Sequence, residues 1–359
     1  MYNRTIKLFI TCALGFLAQS SFAQKVTAED VVFKTQTDTI EIGATITSPA
    51  KSGRFPALVL VSGTGMQDRD GTMAGNKLFT QIADYLTARG YVVLRMDDRG
   101  VGKTTGNYMD ATTADFANDA LEAFRYLKKH KKVDPKRVGL LGHSEGGAAI
   151  SIAASRSKDV AFLVSLSGLA SHGLESLLLQ NEAIVKNGPQ EQVDKDRSNE
   201  INRLMFATAY QYANSDSLES KLNQVYDYWK MKDDIYFKTL GIEFDHFRFP
   251  VYSYVRFAIG PWYRFLVRYN PELYLGNVDV PILAISGSED AFVTPENLDY
   301  WKAYSQAGKN GKVTTKLLPQ VNHLLQNCVT CDTKEYATLG GIPDSTLDII
   351  AEWLMSNVK

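Results

Sequence analysis

The chain of 359 residues has few cysteines, no excess of either charge and no long apolar run after its first two dozen positions. Three Cys do not make a metal-type cysteine set. Lys and Arg number 39 against 40 Asp and Glu, a formal net charge of −1, so there is no electrostatic footprint for nucleic acid or an anionic membrane surface. Internal repeats and low-complexity tracts are missing as well. With 45 % apolar and 22 % charged residues the composition is ordinary and globular, which excludes disorder, collagen and coiled coil. The length suits one large α/β core with an insert, or two average domains.

Residues 1–23 stand apart. Arg4 and Lys7 form a basic start, Leu8 to Leu17 is a short apolar run, and Ser21-Phe22-Ala23 offers a small-x-small cleavage site with no acidic residue before it. This is the pattern of a secretory signal peptide cleaved after Ala23, and its apolar run is too short to span a bilayer. Cys12 follows Thr11, where a lipoprotein acceptor needs Gly or Ala. With no later anchor, the mature chain is expected to be exported, secreted or periplasmic, without a membrane anchor. In an oxidising compartment the spacing of Cys328 and Cys331 favours a small-loop disulfide or free thiols over a redox motif, which would open a helix after a strand.

From residue 57 onward strand and helix alternate. Residues 31–48 alternate in polarity, as one or two antiparallel strands would. Ala57 to Val61 is a continuous apolar run that ends in Ser62-Gly63-Thr64-Gly65, a buried parallel strand meeting a Gly-rich loop. Further strands are expected at Tyr91–Met96, Arg137–Leu141, Ala161–Leu166, Pro281–Ser286 and Val313–Leu318. Helices are expected at Lys77–Arg89, Ala114–Lys129 and Ile342–Val358, the last capped at Asp344 or Ser345. This order implies a mostly parallel, doubly wound sheet covered on both faces. One connection is too long: 113 residues run from Gly168 to Val280, where a crossover needs a few tens. The surplus has helical spacing at Ser176–Asn187, Gln190–Tyr212 and Leu218–Lys230. Positions 205–274 hold 19 of the 39 aromatic residues, too many for a thin surface excursion. A helical subdomain with its own core and a lid with an aromatic underside both fit this composition.

The chemistry centres on Gly142-His143-Ser144-Glu145-Gly146, a G-x-S-x-G pattern between a buried strand and a helix of small residues. The helix start would aim free N–H groups at the Ser144 oxygen and favour negative charge there. A serine hydroxyl needs a base, and the base a carboxylate. Of the five His, His130 lies in a basic tail, His143 precedes the serine and is expected to point away from it, and His172 and His246 belong to the insert. His323 follows the last strand in Pro319-Gln320-Val321-Asn322-His323 and is the expected base. Asp290 ends the preceding strand and is preferred to Glu289 for its G-x-x-D spacing, with a helix-capping role as the alternative. Oxyanion donors are expected at the amide of Glu145 and in the Gly-rich loop, at Thr64 first and Gly65 next. Asp97, Asp98 and Arg99 read as ion-pair or turn-fixing residues, and Asp68, Arg69 and Asp70 as braces of the Gly-rich loop.

The motifs Ser62 to Gly71, Asp97 to Lys103, Gly142 to Gly147, Pro261 to Phe265 and Asn322 to Gln326 together resemble a bacterial branch of the α/β-hydrolase superfamily. It comprises capped carboxylesterases and serine aminopeptidase-like hydrolases, and the resemblance covers roughly residues 55–358. It implies an α/β-hydrolase core at 24–169 and 275–359, with a helical cap at 170–274 inserted after strand 6. It also implies a Ser144–His323–Asp290 triad acting on a small-molecule ester of short acyl chain, with no cofactor and no metal. The Cys328 and Cys331 stretch departs locally from that pattern. Peptidase or thioesterase activity, and a catalytically silent binding protein of the same fold, remain the alternatives.

Overall fold

The computed structural model describes residues 26–36, 39–241 and 249–358; the expected signal peptide and His246 lie outside the described residues. Eight strands form the main sheet: β1 (Val26–Lys34), β2 (Glu41–Pro49), β3 (Phe55–Val61), β4 (Val92–Met96), β5 (Val133–His143), β6 (Leu163–Leu166), β7 (Ile282–Gly287) and β8 (Val313–Leu318). Their spatial order is β1-β2-β4-β3-β5-β6-β7-β8. From β4 to β8 every pairing is parallel, and β2 runs antiparallel to both β1 and β4. The residues expected to alternate at 31–48 are this β1–β2 pair.

Helix α1 (Leu78–Ala88) follows a small ribbon after β3, α2 (Thr113–Lys128) follows β4, and α3 (Glu145–Arg156) follows β5. Between β6 and β7 come α4 (Gly173–Asn187), α5 (Gln192–Tyr212), α6 (Leu218–Phe237), α7 (Val251–Ala258), α8 (Pro261–Val267) and α9 (Glu272–Leu275). Then come α10 (Asn297–Tyr304), α11 (Gln306–Lys309) and the terminal α12 (Asp344–Asn357). Pro343 stands at the N-cap of α12 and no side chain caps it, so the expected cap at Asp344 or Ser345 is corrected. Asp344 instead lies in the first helical turn, where its charge complements the helix dipole.

Strand β3 shows why both faces need helices. Ala57, Val59 and Val61 enter a cluster with Ala117, Phe124, Ala148 and Ile152 of α2 and α3. Leu58 and Leu60 point the other way, to Phe79, Ile82 and Leu86 of α1 and to Leu347, Ile350 and Leu354 of α12. Alternation along a strand sends neighbours to opposite faces, so a run apolar throughout is buried on both. Each such side chain contributes roughly 1.5–3 kcal/mol of burial.

Among the described residues, the inserted helices share one core with the sheet. Ile201, Met205, Leu222, Trp229 and Val255 belong to the same cluster as the α2–α3 face of the sheet. Arg264 ties the insert together by donating to the carbonyls of Ile259, Ala213 and Ser215. No helix among the described residues is long and apolar enough to cross a membrane.

Candidate active site

Parallel strands place their carboxyl ends along one edge, and three loops meet there. The first is the turn from β5 to α3. Ser144 has φ 57° and ψ −125°, a left-handed conformation that a non-glycine residue holds only under strain. Its amide donates to the Leu166 carbonyl, and its carbonyl accepts from Gly147 and Leu169. Close packing explains the motif's glycines: a Cβ on Gly142 would lie 2.2 Å from the Gly146 carbonyl oxygen, and one on Gly146 2.4 Å from that of Val61.

The second loop follows β7. Oδ1 of Asp290 accepts from the amides of Phe292 and Val293, both at 2.9 Å. Asp290 does not cap α10, whose N-cap is Glu296. The third loop follows β8 and is wound around Asn322, whose Oδ1 accepts from the amides of Leu324 and Gln326. Gln326 in turn donates to the carbonyls of Tyr336 and Gly340.

These loops bring Ser144, His323 and Asp290 together. His323 Nε2 lies 3.1 Å from Ser144 Oγ. Its Nδ1 lies 2.8 and 2.9 Å from the two Asp290 oxygens. A carboxylate that only accepts requires the proton on Nδ1, which leaves the Nε2 lone pair facing the serine hydroxyl. Glu289 turns elsewhere and accepts from Ser288 Oγ at 2.8 Å.

His143 has a role that its place before the serine does not announce. Its buried ring packs 4.8 Å from the His323 ring, and its Nε2 lies 3.0 Å from the His323 carbonyl oxygen. Burial pushes its pKa down to about 3, so the ring is neutral and donates that bond. It braces the backbone of His323. The pleat of β5 alone predicted only that the side chain faces away from Ser144.

Around Ser144 the Gly-rich loop passes at contact distance: a Cβ on Gly63 would stand 2.7 Å from the Ser144 Cβ. The Glu145 amide is the first of α3, where a helix has no carbonyl to offer it. Thr64 lines the cavity beside Ser144. Gly65 is corrected as an oxyanion donor, because its amide already donates to the Tyr108 hydroxyl at 2.7 Å. Tyr108 lies 43 residues away in sequence, and nothing local announces that contact. Asp98 braces the same loop, accepting from Ser62 Oγ and from the Gln67 amide. Arg69 pairs with Asp97 through two bonds, and Arg99 with Asp119.

Sequence reasoning also missed the side chain of Glu145. It is buried and accepts from Thr64 Oγ1 at 2.7 Å, Thr113 Oγ1 at 2.6 Å and Trp262 Nε1 at 2.8 Å. The motif Pro261 to Phe265 marked Trp262 without showing what it touches.

A cavity of about 470 Å³ opens above Ser144, walled by Met73, Leu177, Trp262, Leu266, Phe292 and Val293 among others. Of the insert's aromatic side chains among the described residues, Trp262 alone lines it. Tyr226, Trp229, Phe249 and Tyr254 pack against one another in tilted and edge-on pairs within the insert. The aromatic wealth of the insert therefore builds core far more than pocket. Cys328 and Cys331 are joined as a disulfide. Together with Glu335 they form the one group of three His, Cys, Asp or Glu side chains among the described residues close enough to share an ion. The sulfurs are bonded to each other, and Glu335 accepts the amides of Val329, Thr330 and Cys331.

Comparison with known proteins gives the same frame. The family model described as X-Pro dipeptidyl-peptidase (S15 family) matches residues 38–324. Esterase EstD of Thermotoga maritima is 29 % identical over 315 residues, which cover 86 % of this chain and 64 % of that protein. The chain thus spans less than two thirds of the length of the curated relatives it matches. Among solved structures, the α/β hydrolase GrgF from Penicillium sp. sh18 superposes with a TM-score of 0.55 at 18 % identity, covering 92 % of this chain and 99 % of that one. The Pyrococcus furiosus esterase Pf2001 does so with a TM-score of 0.53 at 15 % identity, covering 93 % and 92 %. At such identities these two likenesses speak for the fold.

Proposed function

The chain belongs to the X-Pro dipeptidyl-peptidase (S15) family and has the α/β-hydrolase fold, and from that premise we propose that it is an exported serine hydrolase of short-chain carboxylic esters. The observation that carries this reading is one continuous line of contacts: Asp290 to His323 at 2.8 Å and His323 to Ser144 at 3.1 Å.

The reaction follows from that line. Ser144 Oγ attacks the acyl carbon while His323 Nε2 takes its proton. Asp290 keeps the imidazole in the accepting tautomer and stabilises the imidazolium. The carbonyl oxygen becomes an oxyanion held by the amides of Glu145 and Thr64, each such donor being worth about 3 kcal/mol of barrier. Collapse breaks the bond to the alcohol oxygen, which leaves with the proton from His323, and Ser144 stays acylated. Water then attacks the acyl carbon with His323 again as base; the bond to Ser144 Oγ breaks, His323 returns the proton to that oxygen, and the carboxylic acid departs.

The family's description favours a second reading, cleavage of peptides at their amino terminus. A free amino terminus is an ammonium and needs a carboxylate partner. Among the described residues that line the cavity, the one carboxylate is that of Glu145, already bound by three donors. The apolar walls and modest volume suit an uncharged ester of short chain. Export rests on residues 1–23, removed after Ala23, and agrees with a disulfide between Cys328 and Cys331.

Purified protein should hydrolyse p-nitrophenyl acetate and butyrate far faster than an X-Pro p-nitroanilide, and a fluorophosphonate probe should label it. Ser144→Ala should abolish both signals with the melting curve intact. Labelling or turnover that persists in Ser144→Ala rejects the assignment, and preference for the X-Pro anilide rejects the ester reading.

A further inference from the structure

In the reaction above Glu145 acts through its backbone amide, and its side chain has no step. Yet that side chain is buried and is the meeting point of three separate elements. Oε2 takes the Thr64 hydroxyl of the Gly-rich loop. Oε1 takes the Thr113 hydroxyl at the start of α2 and the Trp262 indole N–H in the first turn of α8.

We infer that Glu145 is a positioning residue: its carboxylate ties the loop of Thr64 and the cap helix α8 to the serine turn, so that the two oxyanion donors keep a fixed spacing under a fixed roof. The inference rests on the serine-hydrolase reading. Stability alone is a poor reason for such a group. Burial raises its carboxyl above the ordinary value, while the hydrogen bonds from Thr113, Thr64 and Trp262 pull the other way. A well-packed apolar side chain would join the same elements without that desolvation. What an apolar contact lacks is direction, and three hydrogen bonds to one carboxylate fix orientation as well as distance.

The placement says what is oriented. One oxyanion donor is the amide of Glu145 itself, and the other is the amide of Thr64, whose hydroxyl bonds the same residue's side chain. On its other side the loop has little slack, since a Cβ on Gly63 would stand 2.7 Å from the Ser144 Cβ. Trp262 lines the cavity, so the cap wall is referenced to the same carboxylate. The Gln67 side-chain amide donates to the Thr64 carbonyl, and the Tyr108 hydroxyl holds the next amide along.

The test compares Glu145→Ala, Glu145→Gln and Thr64→Val in the full mature chain. Activity is expressed per active site titrated to completion with a fluorophosphonate. With p-nitrophenyl butyrate, Glu145→Ala should lower kcat about 100-fold while KM moves by less than about threefold. The inhibition constant of an alkyl trifluoromethyl ketone, which becomes an oxyanion on adding Ser144, should rise in step with the loss of kcat. Glu145→Gln should recover most of that loss. Its carbonyl can still accept from Thr113 and Trp262, and its NH2 can donate to the Thr64 hydroxyl. A merely structural role would lower the melting temperature and the titrated fraction and leave kcat per site alone.

Normal kcat per site in Glu145→Ala, an unmoved trifluoromethyl ketone constant, or a Gln variant as poor as Ala overturns the inference. Should Glu145→Ala not fold, Thr64→Val decides: it removes one donor, and kcat per site should fall about tenfold, with full kcat overturning the inference. Wild-type protein that neither hydrolyses the ester nor takes the label would instead refute the serine-hydrolase reading and this inference with it.

Discussion

Asp290→Asn isolates the step on which the proposed chemistry turns. Asp290 Oδ1 accepts from two backbone amides at 2.9 Å, so the asparagine oxygen must take that place, because an NH2 there would face two donors. The new NH2 then occupies the Oδ2 position, 2.8 Å from His323 Nδ1. Oδ1 also lies 2.9 Å from Nδ1 but already takes two backbone amides, so the nearer NH2 should turn Nδ1 into an acceptor and move the imidazole proton to Nε2. The nitrogen beside Ser144 becomes a donor to the hydroxyl instead of its base. Both backbone bonds survive, so unfolding free energy should change by no more than about 1 kcal/mol. Turnover should fall about 10⁴-fold, or about 5.5 kcal/mol of barrier. Steady-state hydrolysis of p-nitrophenyl butyrate at pH 7.5, alongside a thermal melt, measures both quantities. An Asn variant within tenfold of wild type would show that His323 does not depend on Asp290 for its tautomer.

Two further perturbations test neighbouring parts of the site. Gly63→Ala places a Cβ 2.7 Å from the Ser144 Cβ and 3.1 Å from the His143 carbonyl oxygen, so the Gly-rich loop must retreat. Activity should drop at least about 100-fold for about 1–3 kcal/mol of stability; an active, stable Ala variant would show that the loop has room. Asp98 is held by burial at a pKa of about 7 against its ordinary 3.8. From pH 4 to 7 the folded chain therefore keeps a proton that the unfolded chain has lost, and this group's contribution to stability falls as pH rises through that window. The full penalty is about 4 kcal/mol above pH 7. Asp98→Asn escapes it, so the variant's unfolding free energy in urea relative to wild type should improve steadily from pH 5 to pH 8. A difference that stays flat with pH would refute the burial argument.

Much of the fold was legible because its signals are local. An apolar run closed by a Gly-rich loop marks a buried parallel strand, and β3 ends at Val61, where the expected Ala57–Val61 run ends. Strand β5 shows the limit: it begins at Val133, four residues before the expected Arg137. Val133 pairs with Phe55, and the register then shifts before Ala57 pairs with Val138. Pro135 sits within that irregularity, where a residue without an N–H is tolerated. The inserted helices were visible in their spacing, but their merger with the core was not, because amphipathic period shows that a face is buried and not against what.

The site divides along the same line. The nucleophile motif, and a His and an Asp after later strands, are matters of residue type and chain order, and both can be read in a sequence. What surrounds them depends on contacts across long separations, such as Trp262 with Glu145 and Tyr108 with Gly65, 117 and 43 positions apart. Charge state is harder still to read. A sequence shows two acids, Asp98 and Glu145, beside the place where an oxyanion would form, an arrangement that looks hostile to the reaction. Burial removes much of that hostility by keeping Asp98 protonated up to about pH 7, with the Glu145 charge among the groups pushing it up. Three donors, one of them from the inserted helices, disperse the charge of Glu145. The same two residues in a loop open to water would both be ionised at neutral pH, and each would oppose the developing oxyanion. Whether an acid helps or harms such a site is decided by desolvation, which belongs to the fold and not to the motif.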